Sequence, residues 1–464
     1  MLQDKMSNIE KRVAISLAAI FASRMLGLFM ILPVFAIYAE DLVGFTPMLA
    51  GIAIGIYGLT QAIFQIPLGM LSDRIGRKKI IIGGLVVFAL GSVVAAMADS
   101  ITGVIIGRAL QGSGAIASAV MALAADLTRE EHRIKVMASI GMSIGLSFGA
   151  ALVLGPMLHG WFGVSGIFWI TAILACGGIL VARFWVPTPV HSRFHRDAEV
   201  EVSWLRQALA DPELLRLDAG IFILHFILVS LFVVIPVAMR EQLGVPVDRH
   251  WQIYLPVLFF AVLSMVPFII LAEKKRKLKQ VVIGAIFVLT LSQLGLPLLS
   301  GSLAGFMIML WLFFSAFNLL EASMPSLVAK MAPAAHKGTA MGAYSTSQFL
   351  GVFFGGLMGG ALSEFYGVAG VASFNVLLLM IWAGLAITMR RPQFNTSYLL
   401  NVGEVTQAQS EELATDLMNL TGVVDATVIA EDGVAYLKID KQLIDMNELH
   451  RFAIDESESM QKSE

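Results

Sequence analysis

The sequence predicts an all-α membrane protein of twelve transmembrane helices in two six-helix repeats, followed by a small C-terminal α+β domain. Three observations predict this architecture. Hydrophobic residues make up 57% of the 464 residues and charged residues only 14%, against roughly 25% charged residues in soluble domains. Twelve apolar stretches are long enough to cross a bilayer, which takes about 20 residues. After residue 395 the pattern changes to short, acidic segments typical of a soluble domain.

The composition excludes several classes of protein. So high an apolar content excludes an ordinary soluble enzyme. The single cysteine, Cys176, excludes a disulfide framework and a metal site built from several thiolates. The sequence contains no Gly-x-x-x-x-Gly-Lys-Ser/Thr phosphate-binding loop, so ATP-driven transport has no support. We therefore predict no enzymatic activity, no cofactor and no metal.

The twelve predicted spans fall into two groups of six. The first group covers residues 13–39, 47–71, 78–98, 101–126, 135–159 and 164–186. The second group covers residues 214–240, 250–272, 279–299, 303–331, 338–363 and 367–390. A polar, proline-containing stretch separates them and predicts a cytoplasmic linker. The predicted domains are therefore residues 1–186, the linker 187–213, residues 214–391 and the acidic domain 396–464.

Weak internal similarity relates the two halves. At an offset of 200, Asp73 corresponds to Glu273, and at an offset of 204, His132 corresponds to His336. These matches occur at equivalent places in the two halves, which indicates parallel repeats. Transporters built in this way usually bind their substrate near the bilayer midplane, between the repeats.

Basic residues in the loops and at the ends of the predicted spans lie almost entirely on one side of the membrane. That side carries 24 lysines and arginines, whereas the other carries only Arg240 and Arg249. Because cytoplasmic loops are enriched in Lys and Arg, we predict that both termini are cytoplasmic.

The C-terminal domain differs from the rest in charge and in pattern. From Thr396 onward the chain has a net charge of −10, whereas the remainder has +8. Strands are predicted at 398–402, 423–429 and 434–439, and helices at 410–420 and 446–454, with an Asp-Gly turn between the last two strands. This β-α-β-β-α order is most of a ferredoxin-like unit.

The charge of this domain bears on its partners. Its acidity argues against nucleic acid. We predict instead that it docks on basic cytoplasmic loops such as residues 274–279.

The clearest motif follows the second span and reads Gly69-Met-Leu-Ser-Asp73-Arg74-Ile-Gly76-Arg77-Lys78-Lys79. It resembles the cytoplasmic loop signature of the major facilitator superfamily, Gly-x-x-x-Asp-Arg-x-Gly-Arg-Arg/Lys. An ordinary positive-inside loop would explain the bases but not the acid and the two glycines. The resemblance implies a conformational latch. The predicted latch residues are Gly69, Asp73, Arg74, Gly76, Arg77 and Lys78, together with Asp126 as the partner of Arg77.

A second motif lies in the fourth predicted span and reads Arg108-Ala-Leu-Gln111-Gly112-Ser-Gly114. It resembles the Arg-x-x-Gln-Gly-x-Gly motif of the same superfamily. The resemblance implies a role in proton coupling for Arg108 and Gln111. An arginine inside a span is costly and functional by default. The alternative is a buried arginine that only holds the first and fourth predicted spans together.

The fifth predicted span carries a glycine-rich pattern with Gly145, Gly149, Gly155 and Pro156. It partly resembles the antiporter motif of drug-exporting superfamily members, although His159 occupies a position where that motif has glycine. The resemblance implies export. The alternative is ordinary close packing of small residues.

Few other polar residues lie inside the predicted spans. Arg24, His225 and Glu321 join Arg108 and Gln111 as proton-coupling candidates, because intramembrane ionisable groups mark proton pathways and histidine titrates near neutral pH. Each could instead be a satisfied polar group between helices. The predicted cavity residues are Met30, Tyr57, Trp311 and Asn318.

These resemblances imply a secondary transporter of a bacterial inner membrane. It would export a small lipophilic or cationic compound by alternating access, driven by protons, with the lipid bilayer as its surroundings. Two alternatives remain. One is a proton-coupled importer or facilitator of a small metabolite. The other is a transporter-like sensor that signals through its C-terminal domain.

Overall fold

The computed structural model describes residues 6–189, 200–392, 396–403, 405–430, 433–440 and 443–453, without the side chains of residues 130, 131, 134 and 202. The N-terminal helices are α1 (Asn8–Phe29), α2 (Phe35–Tyr38), α3 (Pro47–Ile75), α4 (Arg77–Ala96), α5 (Ile101–Ser113), α6 (Ala117–Asp126) and α7 (Glu130–Leu180). The later helices are α8 (Val202–Ala208), α9 (Pro212–Glu241), α10 (Trp251–Lys274), α11 (Leu278–Leu299), α12 (Leu303–Met331) and α13 (Lys337–Thr388).

The described residues form 10 helical segments long and apolar enough to cross a membrane. Two of these segments, 135–185 and 334–388, are 51 and 55 residues long. Each contains one glycine with non-helical backbone angles, Gly163 (φ 65°) and Gly367 (φ 57°). Positive φ is easily adopted by glycine alone, so each long segment bends there. The bends fall between predicted spans five and six and between eleven and twelve.

Two predicted spans are not continuous helices. α1 ends at Phe29, and a short turn leads to α2. Pro33 lies in this turn and could not donate a helical hydrogen bond. The fourth predicted span is divided into α5 and α6 by residues 114–116, directly after the Gln111-Gly112 pair. Irregular backbone at membrane depth is tolerated only inside protein or beside a cavity.

The helical bundle has two ends, which we name by the residues that lie there. We call the end with residues 39–47 and 240–250 the distal end, and the end with Ser7, Gly76 and the C-terminal domain the proximal end. At the proximal end, Gly76 (φ 104°) links α3 to α4, and Arg276 (φ 53°) lies between α10 and α11. These two residues correspond at an offset of 200, which agrees with the predicted repeat.

The stretch predicted as a linker is packed against the second half where it is described. The indole of Trp204 stacks on the imidazole of His336, with 4.6 Å between the ring centroids. The Glu201 amide donates to Thr339 Oγ1 over 2.8 Å. Residues 190–199 of the predicted linker lie outside the described residues.

The C-terminal domain has the predicted element order. It contains β1 (Thr396–Asn401), α14 (Gln407–Met418), β2 (Val423–Ile429), β3 (Val434–Ile439) and α15 (Met446–His450). The sheet order is β1-β3-β2, and β3 pairs antiparallel with both neighbours. The predicted β-α-β-β-α order is therefore confirmed. Asp432 of the predicted turn and residues 454–464 lie outside the described residues.

Strand β3 packs on two different bodies because successive side chains point to opposite faces. Ala435, Leu437 and Ile439 lie in the core of the C-terminal domain. Tyr436 contacts Ala334 and Ala335 in the turn between α12 and α13. One face of the sheet thus lies against the helical bundle.

A second pair of contacts joins the same two bodies. Lys438 Nζ donates to the Lys330 carbonyl over 2.7 Å, and Arg276 Nη2 lies 3.4 Å from Asp440 Oδ1. Burial lowers the pKa of Lys438, because its ammonium loses water. The carbonyl at the end of α12 partly replaces that water.

Candidate transport site

The loop between α3 and α4 is held by a buried guanidinium. Arg77 is 2% exposed and forms ion pairs with Asp73 and, over 3.4 Å, with Asp126 Oδ2. Its Nη1 also donates to Ser72 Oγ over 3.0 Å. The predicted pairing of Arg77 with Asp126 is therefore present. Within the described residues, Asp73 forms no hydrogen bond or ion pair with the beginning of α13, so the loop does not bridge the halves here.

The surroundings of the other residues in the loop motif explain why most of these residue types occur there. A methyl group at Gly69 would lie 2.8 Å from Ser118 Cβ, so glycine lets α3 approach α6. The positive φ of Gly76 reverses the chain between α3 and α4. Lys78 Nζ donates to the carbonyls of Val186 (2.7 Å) and Arg183 (3.2 Å). Arg74 is exposed.

Arg108 is buried between α3 and α5. Its Nε and Nη2 donate to the carbonyls of Ala53 (3.3 Å) and Ile54 (3.2 Å), and Nη1 donates to Gln111 Oε1 (2.9 Å). Gln111 Nε2 in turn donates to Ser92 Oγ over 2.8 Å. All three guanidinium nitrogens thus have acceptors, although none of these is a carboxylate.

Arg24 also lies beside the Tyr57 ring. Its Nη2 donates to Gln61 Oε1 over 2.8 Å. The guanidinium carbons of Arg24 and Arg108 lie 5.8 and 5.3 Å from the centroid of the Tyr57 ring. Cation–π attraction at such distances is worth about 0.5–2 kcal/mol per pair. The structure therefore brings together three residues that the sequence indicated separately.

His225, Glu321 and Gln348 form the polar centre of the second half. His225 Nε2 lies 3.7 Å from Glu321 Oε2. Gln348 Nε2 lies 2.8 Å from His225 Nε2 and 3.4 Å from Glu321 Oε1. The His225 side chain is 9% exposed and that of Glu321 38%, although the Glu321 Oε2 atom is itself buried.

The predicted cavity residues lie in different places. Tyr57 lies beside both buried arginines, and Met30 is buried just after α1. Asn318 is half-buried in α12. Trp311 lines an open groove between α10 and α12, where its Nε1 donates to Ser264 Oγ over 3.1 Å. Among the described residues, no group of three or more His, Cys, Asp or Glu could hold a metal ion.

The glycine-rich motif of the fifth predicted span lies in α7, and its two ends have different surroundings. A methyl group at Gly155 would overlap the Met30 carbonyl, so this glycine lets α7 contact α1. Pro156 lies inside α7. Around Gly145 and Gly149, no atom lies within 4 Å of an added methyl group. The two halves of the motif therefore have different surroundings, one packed and one open.

The halves of the bundle meet closely at the distal end. Methyl groups at Gly51 of α3 or Gly356 of α13 would each overlap the other residue's carbonyl oxygen. Nearby, Arg240 forms a two-pronged ion pair with Glu40, with N–O distances of 2.9 and 2.8 Å. A methyl group at Gly160 would lie 2.9 Å from Asp248 Cβ across the same boundary. The distal end is therefore closed.

Sequence reasoning missed Gln61 and Gln348, although a signal was present. Residues 55–61 and 342–348 share the pattern Gly-x-Tyr-x-x-x-Gln, in α3 and α13 respectively. In each case the glutamine bonds to the charged or titratable group of its own half. The tyrosine hydroxyls of Tyr57 and Tyr344 are buried without a hydrogen-bond partner among the described residues.

Comparison with known proteins supports a transporter. The family model of the Major Facilitator Superfamily matches residues 17–348. The inner membrane transport protein YajR of Escherichia coli K12 is 45% identical over 447 residues, which cover 96% of this chain and 98% of that protein. An uncharacterized transporter of Buchnera aphidicola from Acyrthosiphon pisum is 38% identical over 75% of this chain and 90% of its own length.

Solved structures show the same fold. A bacterial homologue of the human lysosomal transporter Spinster, in an inward-facing and occupied conformation, superposes with a TM-score of 0.67 at 15% identity. It covers 84% of this chain, and 98% of that chain is matched. The human organic anion transporter MFSD10 superposes with a TM-score of 0.61 at 18% identity, over 82% and 100% of the two chains. With the family match, this shows that the chain belongs to the major facilitator superfamily and is a multi-pass inner-membrane transporter rather than an enzyme.

Proposed function

We propose that this transporter exports a small compound in exchange for protons. The observation that carries the proposal is the contact of His225, Glu321 and Gln348 inside the second half. A carboxylate and an imidazole in contact can share a proton, and the pair changes charge when a second proton binds. Intramembrane acids are rare and mark substrate, ion or proton pathways.

The driving force follows from the membrane potential. Each proton that moves inward gains about 2.3 kcal/mol per 100 mV. Export is driven by this energy when protonation of Glu321 and release of the substrate favour the same conformation. The 38% exposure of the Glu321 side chain supports access of protons to this carboxyl group.

We further propose twelve spans and a rocking motion of two six-helix halves. The bends at Gly163 and Gly367 would divide the two long helices into two spans each. The closed distal end and the open surroundings of Gly145 and Gly149 support a conformation that opens at the proximal end. In the opposite conformation, the loop with Asp73 and Arg77 would latch the halves together.

The proposed orientation places the proximal end in the cytoplasm. Lys78, Arg129 and Lys279 all bind partners at this end. Such a concentration of bases is typical of the cytoplasmic side. Export would then load substrate at the proximal end and release it at the distal end.

The closed distal contact leads to a testable expectation. A Gly51→Ala variant should lose much of the distal-closed population, because its methyl group would overlap the Gly356 carbonyl. Overpacking of this kind costs about 1–3 kcal/mol, and 1.4 kcal/mol corresponds to about a tenfold change in population. The matched control is Gly83→Ala, since no atom lies within 4 Å of that position.

Double electron–electron resonance spectroscopy would measure this shift. Spin labels at the exposed positions Met97 and Leu298 report the width of the distal end from the two halves. The Gly51→Ala distribution should move to longer distances than those of the wild type and of Gly83→Ala. Identical distributions in all three proteins would contradict a gate at this contact.

We also propose that the C-terminal domain has a ferredoxin-like arrangement and stays docked on the proximal end. The pairing of β1 with β3 rather than β2 supports a split β-α-β unit. The contacts of Tyr436, Lys438 and Asp440 support docking. A docked domain could gate the α12–α13 turn on which it rests.

Tyr436→Ala tests the docking. Tyr436 is on the face of β3 opposite the domain core, so its loss should weaken the contact without unfolding the domain. Amide exchange of residues 330–336 should increase several-fold, whereas the exposed control Met418→Ala should leave it unchanged. Unchanged exchange in both variants would show that the domain does not protect this turn.

The function itself is tested by proton movement. The purified protein in proteoliposomes, under an imposed pH gradient, is offered a panel of lipophilic cations, organic anions and small metabolites. A compound that moves one way while protons move the other establishes antiport. Movement of both in one direction makes the protein an importer. If no compound couples to proton movement, the sensor alternative gains support. The next variant to study is then the deletion of residues 396–464.

A further inference from the structure

Two guanidinium groups lie inside the first half without an acidic partner. Arg24 and Arg108 are 0% and 2% exposed. Within the residues that the structure describes, neither forms an ion pair with a carboxylate. Buried charges are normally paired, because the loss of water is costly. This region therefore holds two positive charges and attracts a negative one.

Unpartnered donors show where such a charge would bind. Arg108 has acceptors for Nε, Nη1 and Nη2. Arg24 uses only Nη2, and its Nε and Nη1 are buried without a partner among the described residues. The hydroxyl of Tyr57 is likewise buried and unpartnered. Three donors and two cations around one aromatic ring are complementary to an oxyanion, which accepts several charge-assisted hydrogen bonds at once.

From this geometry we infer that Arg24, Tyr57 and Arg108 bind the anionic head group of the transported compound, a carboxylate or a phosphate monoester. The inference rests on the proposed transport function and names its substrate class. It differs from the small lipophilic or cationic compound that the sequence analysis predicted. Either fork of the Arg24 guanidinium, Nε with Nη2 or Nη1 with Nη2, suits a two-oxygen group, and Nη2 has a second hydrogen beside the one that Gln61 accepts.

The position of Tyr57 gives this site access that depends on conformation. Its ring lies against Phe349 of α13, with 6.4 Å between the centroids. A methyl group at Gly58, one residue further along α3, would lie 2.5 Å from the Phe349 carbonyl. The closed contact between α3 and α13 therefore covers the tyrosine. Separation of these helices uncovers it, as a substrate site requires in alternating access.

Binding to the full-length protein in lipid nanodiscs, without a pH gradient, tests the inference. The probes are benzoate and phenyl phosphate as anions and tetraphenylphosphonium as a cation, measured by calorimetry. The wild type should bind at least one anion. Arg24→Gln should weaken that binding at least about thirtyfold, since one partner of a buried charge pair is removed. Tyr57→Phe, which loses only the hydroxyl, should weaken it about fivefold.

Three further measurements keep the result interpretable. Arg24→Lys retains the charge and should bind more tightly than Arg24→Gln but less tightly than the wild type. The exposed base Lys79 provides a matched control, and Lys79→Gln should bind like the wild type. The titrations are repeated at tenfold lower chloride, because a site filled by chloride alone would accept no organic anion.

The outcomes separate cleanly. Equal anion affinity in the wild type and Arg24→Gln, binding of tetraphenylphosphonium alone, or an Arg24-dependent effect of chloride without organic anions would each overturn the inference. Arg24-dependent binding of benzoate or phenyl phosphate supports it. Should such a protein move no protons, the proposed antiport fails while the anion site stands.

Discussion

Replacing Glu321 with glutamine is expected to abolish proton-coupled flux while substrate binding persists. Glutamine has nearly the same shape but cannot bind and release a proton. Its amide also leaves His225 without the carboxylate that lies 3.7 Å from Nε2 in the wild type. Since no charge changes at this position, the variant can no longer use the proton gradient, whose electrical part is about 2.3 kcal/mol per 100 mV.

The internal pH of proteoliposomes measures this loss. Flux driven by an imposed gradient should fall to the level of protein-free vesicles in Glu321→Gln. The matched control is Glu364→Gln, which neutralises an exposed acid of α13 in the same half and should transport normally. Wild-type proton flux in Glu321→Gln would remove this carboxylate from the proposed mechanism.

Replacing Arg77 with glutamine is expected to destabilise the protein by about 3–5 kcal/mol, the usual cost of breaking a buried ion pair. The variant leaves Asp126, whose side chain is 1% exposed, without the guanidinium that faces it. It also removes the donor to Ser72 Oγ. The thermal unfolding midpoint of the purified protein should fall by several degrees, and less of the protein should reach the membrane.

Asp73→Asn separates the latch from this structural role. The Asp73 side chain is 35% exposed, and partly exposed ion pairs contribute only about 0–1 kcal/mol. Stability should therefore remain close to that of the wild type, whereas transport should fall if Asp73 holds the halves together in the opposite conformation. Lys79→Gln, in the same loop, serves as control for the loss of an exposed charge. Wild-type flux in a correctly inserted Asp73→Asn protein would contradict the latch.

The predicted partners of the loop motif followed from spacing alone. Arg77 begins α4 and Asp126 ends α6 at the same end of the bundle, so a short connection on either side sufficed to predict their pairing. The breaks near Pro33 and Gly114 were harder to see. Apolar composition continues across both, and hydropathy records composition rather than backbone hydrogen bonds.

Glutamines were the residues most easily overlooked. Gln61 and Gln348 are uncharged and lie in otherwise ordinary apolar stretches. Their importance comes from what they touch, the guanidinium of Arg24 and the imidazole of His225. Only the repeated Gly-x-Tyr-x-x-x-Gln pattern of α3 and α13 marks them in the sequence.

The sequence by itself determined the class of protein, the loop motif, the intramembrane charges and the strand and helix order of the C-terminal domain. These properties depend on composition and on residues close together in the chain, where periodicity and spacing carry the information. The tertiary structure decided the rest. It joined His225, Glu321 and Gln348, brought two arginines to the Tyr57 ring, closed the distal end and turned Tyr436 toward the helical bundle. These contacts join helices and strands far apart in the chain, and their geometry depends on how whole surfaces pack, which local patterns do not encode.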